Sequence, residues 1–125
     1  FGVEDCLNIN VWGPEDRDPG NLRPVQLWIY GGGFESGTAS IAQYSGRRIT
    51  AKEDVVVVTF NYRLGALGYL RYAADGQDTV AGNFGLQDQI LALQWVKNNI
   101  QNFGGDPERI MLFGESAASR WVCIY

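Results

Sequence analysis

The sequence contains no histidine, and cysteine is scarce. Histidine is the usual general base for a serine nucleophile, so these 125 residues cannot by themselves hold a Ser-His-Asp triad. Cys6 and Cys123 could form a disulfide, but nothing in their spacing requires one. Two separate thiols, or cysteines with partners elsewhere, remain the alternatives.

Positive charge and long apolar runs are also scarce. The net charge is −4, and the densest basic group is Arg47, Arg48 and Lys52. A nucleic-acid surface would show a basic stripe or patch, so we expect no nucleic-acid partner. The longest apolar stretch lies around Val55 to Val58, far short of the roughly 20 residues that span a bilayer, so we expect no transmembrane segment.

What remains is the composition of an ordinary globular protein. Hydrophobic residues make up 46% of the chain, charged residues 19%, and there are 16 glycines. The length suits one domain. Because the chain begins at Phe1 and ends at Tyr125, soon after a serine-containing turn, we expect residues 1–125 to be a partial domain, truncated at both ends.

Apolar patterning predicts both strands and helices. Four consecutive valines indicate a central strand that is buried on both faces. Apolar residues at helical spacing predict an amphipathic helix from Gly85 to about Asn102, and a short helix is possible from Arg47 to Glu53. The predicted strands are Leu7 to Trp12, Val25 to Tyr30, Val55 to Phe60 and a short buried strand from Ile110 to Phe113; the helical positions are Leu86, Ile90, Leu93, Val96 and Ile100. The predicted fold class is therefore α/β, with a mostly parallel central sheet flanked by helices and a surface loop from Pro14 to Pro24.

The segment 114–119 reads Gly-Glu-Ser-Ala-Ala-Ser and nearly matches Gly-x-Ser-x-Gly. In that motif a tight strand-to-helix turn makes a serine project toward a base and a substrate. Ala118 replaces the closing glycine, and overpacking of a tight site costs about 1–3 kcal/mol unless the backbone shifts. Taken alone, the segment is also typical of a chance turn of small residues.

A second motif, Trp28 to Phe34, places three glycines directly after a predicted strand. Such glycines let the backbone approach a ligand closely and aim N–H groups at a developing oxyanion. A simple glycine turn or a phosphate loop is the alternative, although neither Gly-Lys-Ser/Thr nor G-x-G-x-x-G is present. A strand followed by three glycines, and later a strand followed by Gly-x-Ser, is the layout expected of an acyl-transfer site.

Several segments in this order resemble the type-B carboxylesterase/lipase family, which has the α/β-hydrolase fold and includes cholinesterases and fungal lipases. The resemblance extends from Val3 to Ser119. The segments that carry it are Glu4-Asp5-Cys6-Leu7, Trp28 to Phe34, Asn61-Tyr62-Arg63-Leu64-Gly65, Gly82 to Gln89, and Phe103-Gly104-Gly105-Asp106-Pro107 leading into Gly114-Glu115-Ser116-Ala117.

The resemblance implies a site and a reaction. Ser116 is expected to be the nucleophile, and the backbone N–H groups of Gly32, Gly33 and Ala117 are expected to form the oxyanion hole. Glu115 and Phe34 are expected near the site. The alternative for Glu115 is a solvated or hydrogen-bonded residue of the elbow, and the alternative for Phe34 is a core aromatic. We expect a small-molecule or lipid ester as substrate, and neither a metal nor a cofactor.

The resemblance also implies two structural features. Arg63 and Asp88 are expected to form an ion pair, the alternative being two exposed charges. Cys6 is expected to form a disulfide with a cysteine upstream of this chain, which indicates a secreted or otherwise extracytoplasmic parent protein. The sequence departs from the family at Ala118, at Asn8, where an aromatic residue or threonine is usual, and at Arg120-Trp121, where small or aliphatic residues are usual.

Three hypotheses for the function follow. The first is a serine carboxylic-ester hydrolase that acts through an acyl-enzyme, with the acid and the histidine downstream of Tyr125. The second is a non-catalytic adhesion or binding protein, against which the presence of Ser116 with Gly32 and Gly33 argues. The third is a degenerate hydrolase in which the methyl group of Ala118 disturbs the oxyanion hole.

The isolated 125-residue chain is expected to show no triad-type turnover, because it lacks a histidine. Hydrolysis of a p-nitrophenyl ester should equal that of a Ser116→Ala control. A rate well above the control would contradict this prediction.

Overall fold

The computed structural model describes residues 2–73, 80–118 and 122. It contains both strands and helices, as the apolar patterning predicts. The strands are β1 Ile9–Trp12, β2 Arg23–Ile29, β3 Val56–Phe60, β4 Tyr72–Ala73, β5 Val80–Ala81 and β6 Gly105–Gly114. The α-helices are α1 Arg47–Glu53, α2 Gly65–Tyr69 and α3 Phe84–Asn99, and short 3-10 helices occupy Ala42–Tyr44, Ile100–Phe103 and Ser116–Ala118.

The main sheet has the strand order β1-β3-β2-β6. β2 pairs in parallel with both β3 and β6, whereas β1 pairs antiparallel with β3. The predicted α/β class with a mostly parallel sheet is therefore confirmed. In the register of β2 with β6, Ile29 lies opposite Gly114, so the turns that follow these two strands start side by side.

The core forms on the strands whose sequences are most apolar. All five residues of β3 are buried, as the run of valines predicts. Alternate residues of β2 (Val25, Leu27 and Ile29) are at most 1% exposed, and Val96 and Ile100 are fully buried against the core. Burial of each such aliphatic side chain contributes about 1.5–3 kcal/mol relative to its exposure.

Several element boundaries differ from the predictions, among them the starts of β1 and β2. β1 begins at Ile9 rather than Leu7. β2 begins at Arg23, inside the predicted surface loop. Arg23 is only 5% exposed because Asp16 and Asp54 accept hydrogen bonds from its guanidinium at 2.8–3.1 Å. The loop ends early because these carboxylates compensate the buried charge.

Two burial predictions are wrong. β6 is longer than expected and is not buried throughout, since it is an edge strand of the described sheet and Met111 is 51% exposed. In α3, Ile90 is 37% exposed, while Asp88 and Gln89 are buried. The first part of α3 packs on α2 and Arg63 as well as on the sheet. Because of this packing, the polar residues Asp88 and Gln89 face inward.

Candidate active site

The described structure places Ser116 two residues after Gly114, the last residue of β6, in a strained turn. Its backbone has φ = 52°, the left-handed region that side-chain-bearing residues rarely adopt. The 3-10 helix Ser116–Ala118 follows, and the Ala118 N–H donates to the carbonyl of Glu115 at 3.0 Å. A strand therefore passes through a sharp turn into a helical segment with an exposed serine at the bend.

The turn packs so closely against the end of β2 and Gly31 that an added side chain at Gly31 or Gly114 would not fit without a shift. A Cβ on Gly31 would lie 3.0 Å from the Cβ of Ser116 and 3.0 Å from the carbonyl oxygen of Glu115. A Cβ on Gly114 would lie 2.8 Å from the carbonyl oxygen of Ile29 and 3.1 Å from the Cβ of Ala118, which is fully buried. The methyl group of Ala118 therefore occupies space that is available because Gly114 has no side chain.

The segment that follows β2 turns sharply through consecutive residues with positive φ. The φ values are 114° at Gly32, 64° at Gly33 and 66° at Phe34. The N–H groups of Glu35 and Ser36 donate to the Gly32 carbonyl at 3.1 and 3.2 Å. A Cβ on Gly32 would overlap the Ser36 carbonyl oxygen, whereas one on Gly33 would meet no atom within 4 Å. We call residues 31–34 the glycine loop.

Two backbone donors of the glycine loop are available to a ligand. Within residues 2–73, 80–118 and 122, no acceptor takes a hydrogen bond from the N–H groups of Gly32 or Gly33, and both residues are exposed. We call residues 114–118 the serine turn. Gly31 lies against Ser116 of this turn, and the two donors belong to the residues that directly follow Gly31. Backbone N–H groups that are preorganised near a nucleophile are able to stabilise an oxyanion.

Glu115 makes a contact that the sequence does not reveal. Its Oε1 accepts a hydrogen bond from the Tyr44 hydroxyl at 2.7 Å, and this bond raises the pKa of Tyr44 above its ordinary value. The ring of Trp28 lies 5.2 Å from that of Tyr44 and 4.9 Å from that of Phe113. Tyr44 comes from a segment without clear periodicity, so no sequence pattern pointed to it.

Phe34 lies at the far end of the glycine loop and is half-buried. Its ring centre is 5.0 Å from that of Tyr69, with the ring planes tilted by 59°. The carbonyl of Phe34 accepts a hydrogen bond from the Gly65 N–H at 2.6 Å. Phe34 therefore connects the glycine loop to α2.

Arg63 and Asp88 lie together beside the site. The Arg63 Nε and Nη2 donate to the two oxygens of Asp88, each at 2.8 Å, and the Arg63 backbone N–H donates to Oδ2 at 3.0 Å. These bonds raise the pKa of Arg63. The Asp88 side chain is 4% exposed and that of Arg63 is 39% exposed. A bidentate pair with one buried partner fixes the segment after β3 on α3.

Of the remaining predicted residues, Cys6 is among those that the structure describes. Cys6 is half-buried and forms no disulfide within the described ranges. Its carbonyl accepts hydrogen bonds from the side chains of Asn8 and Asn61 at 3.3 and 3.1 Å. Cys123 and the departures at Arg120 and Trp121 lie outside the described residues.

The described residues show neither a metal-binding cluster nor a membrane-spanning helix. No group of three or more His, Cys, Asp or Glu side chains in these ranges is arranged to hold a metal ion. No helix in the described part of the chain is both long enough and apolar enough to cross a bilayer.

The sequence is similar to those of known esterases. A sequence model described as the carboxylesterase family matches residues 2–125. Cholinesterase 1 of Branchiostoma lanceolatum is 56% identical over 119 residues, which are 95% of this chain and 32% of that protein. Fumonisin B1 esterase of Sphingopyxis macrogoltabida is 49% identical over 93% of this chain and 22% of its own length. Acetylcholinesterase of Danio rerio is 53% identical over 95% of this chain and 18% of its own length.

A solved structure gives the same result for the fold. A thermophilic PNB esterase superposes with a TM-score of 0.82 and 44% identity, over 92% of this chain and 23% of that one. The fold is that of the α/β hydrolases. The chain belongs to the carboxylesterase family, as the resemblance predicts. It spans about a fifth to a third of the length of these relatives.

Removal of the Arg63 side chain is expected to destabilise the full-length protein. Arg63→Ala leaves the carboxylate of Asp88 buried without its guanidinium partner, a situation that costs about 3–5 kcal/mol for fully buried pairs. Because Arg63 is 39% exposed, we expect a loss of about 2–3 kcal/mol in the free energy of unfolding, measured by urea denaturation.

Lys97→Ala is the matched control. Its ion pair with Glu108 is 3.8 Å long, and both side chains are at least 60% exposed, so the loss should be about 0–0.5 kcal/mol. Equal losses for the two variants would contradict the structural role of the Arg63–Asp88 pair.

Proposed function

We propose that the protein is a serine carboxylic-ester hydrolase with Ser116 as the nucleophile. The observation that supports this most directly is the left-handed backbone of Ser116 at the end of β6, packed against Gly31. Such strain is retained at functional sites, where it makes a side chain project toward a substrate. The similarity to a cholinesterase and to two other esterases supports an ester as the substrate class.

The proposed mechanism has two halves. The Ser116 Oγ attacks the ester carbonyl while a histidine takes its proton, and the N–H groups of Gly32, Gly33 and Ala117 stabilise the oxyanion. Collapse of the tetrahedral intermediate expels the alcohol and leaves an acyl-enzyme on Ser116. Water, activated by the same histidine, then releases the acid. The histidine and the acid that orients it are proposed to lie beyond Tyr125.

We propose that Glu115 and Phe34 border the substrate. Glu115 directly precedes the nucleophile and is held by Tyr44, while Phe34 directly follows the proposed oxyanion donors. The relatives named above act on different esters according to their names, so the substrate is proposed only as a carboxylic ester. The extracytoplasmic location and the single partial domain stay predictions.

Replacement of the nucleophile provides the first test. In the full-length protein, Ser116→Ala should lower kcat for a p-nitrophenyl ester by at least about 10⁴-fold, because the acyl-enzyme cannot form. A fluorophosphonate probe should label the wild-type protein and not the variant. Ser40→Ala is the control, since Ser40 is exposed and its backbone N–H only closes a turn on Thr38.

The proposal fails if labelling of Ser116 is absent in a folded sample, and that result would favour a binding protein. It also fails if the two variants retain equal activity. Loss of activity in Ser116→Ala alone supports the proposal.

A second test concerns Ala118. Because its methyl group fits against the side-chain-free Gly114, we expect Ala118→Gly to change kcat by no more than about twofold. Steady-state hydrolysis of the same ester by the full-length variant measures this. A large rise in kcat would instead support the degenerate hydrolase, in which the methyl group disturbs the oxyanion hole.

A further inference from the structure

The glycine loop is held at both ends by the segment Asn61–Gly65, which follows β3. The Tyr62 hydroxyl donates to the carbonyl of Tyr30, the residue directly before the loop, at 2.6 Å. The Gly65 N–H donates to the carbonyl of Phe34, the last residue of the loop, also at 2.6 Å. Only the first of these two bonds comes from a side chain.

The Tyr62 ring is fixed in the orientation that this bond requires. It stacks on the ring of Tyr30 with centres 4.6 Å apart, and each residue is 2% exposed. A Cβ on Gly37 would lie 2.6 Å from the Tyr30 ring, so the backbone of Gly37 packs closely on that ring as well. Tyr62 is therefore buried, and its hydroxyl donates to the carbonyl of Tyr30, directly before the glycine loop.

The segment Asn61–Gly65 is itself anchored on residues outside the loop. The Asn61 side chain accepts from the Ala39 N–H at 2.8 Å and donates to the Cys6 carbonyl at 3.1 Å. Arg63 is held by Asp88 on α3. Tyr62 thus connects the start of the glycine loop to the segment Asn61–Gly65, which is held in place by Ala39, Cys6 and Asp88.

We propose that Tyr62 is a positioning residue for the oxyanion hole. The inference rests on the proposed function of Ser116 and the glycine loop. By fixing the Tyr30 carbonyl, the Tyr62 hydroxyl sets the orientation of the chain as it enters Gly31, and hence the direction of the Gly32 and Gly33 N–H groups. Glycine has the widest conformational freedom of any residue type, so the Tyr62 bond adds a restraint to those that the bonds at the Gly32 carbonyl already provide.

The chemistry of the hydroxyl suits this task. Burial raises the pKa of Tyr62 above its ordinary value, and burial raises that of Tyr30 to about 12. The Tyr62 hydroxyl therefore stays protonated and remains a donor throughout the working range of an esterase. Without this donor, the carbonyl of Tyr30 would lose a hydrogen bond and one restraint on the orientation of its peptide plane.

The test is Tyr62→Phe in the full-length protein, a change that removes one hydroxyl and keeps the ring stack. We expect kcat for a p-nitrophenyl ester to fall by about 10-fold with KM nearly unchanged, because the oxyanion forms only in the transition state. The affinity for a trifluoromethyl ketone, whose adduct with the serine carries an oxyanion, should fall by a similar factor.

Thr59→Val is the matched control. It removes another fully buried hydroxyl, which contacts Asn10 and Ala39 and none of the residues of the glycine loop. Both variants should lower the thermal midpoint of unfolding, but Thr59→Val should leave kcat and inhibitor affinity unchanged. If Tyr62→Phe lowers only the thermal midpoint, Tyr62 is merely structural and the inference is wrong.

Ser116→Ala separates the two levels of the proposal. If that variant retains wild-type activity, the proposed function fails and the oxyanion role fails with it. If Ser116→Ala is inactive and Tyr62→Phe behaves like Thr59→Val, only the role of Tyr62 is overturned.

Discussion

The parallel pairing of β2 with β6 is the interaction on which the rest of the site depends. It places Ile29 opposite Gly114, so that the glycine loop and the serine turn leave the sheet at the same edge. Ligand sites in open α/β sheets form at the carboxyl ends of parallel strands for this geometric reason. A shift of one residue in this register would separate Gly31 from Ser116 and direct the strand side chains to the opposite faces.

The absence of side chains is what lets the backbone segments meet around this edge. Gly31 and Gly114 allow the two turns to touch. The carbonyl of Arg63 lies so close to Gly68 of α2 and Gly85 of α3 that a Cβ on either glycine would overlap it. The many glycines of the chain are thus partly explained by close approaches between segments that are distant in sequence.

Local sequence patterns predicted the parts of the fold that depend on local physics. The valines of β3 and the helix Arg47–Glu53 were found as expected, because burial on both faces and short-range helical preference are visible in neighbouring residues. The exposure of Ile90 was missed, because the inward face of α3 is set partly by the distant Arg63. Arg23 was assigned to a surface loop, since nothing local indicates that Asp16 and Asp54 surround it.

The same division between local patterns and long-range contacts holds for the candidate site. The glycines and the serine were found from their motifs, whereas the pairing of Arg63 with Asp88 came only from the family resemblance. Tyr44 and the bond from Tyr62 to Tyr30 were missed, because they join residues from different turns and need the assembled sheet. A tyrosine hydroxyl that reaches a backbone carbonyl leaves no recognisable spacing in a sequence.

The β2–β6 pairing also determines the stage of protein synthesis at which the site can first form. The glycine loop leaves the ribosome long before β6, and the residues between them must be enclosed as one large loop before Ile29 meets Gly114. Contacts of such wide sequence separation form slowly, because the loss of chain entropy precedes the gain from packing. A nascent chain therefore carries a glycine loop with no serine turn beside it until the last described strand has docked.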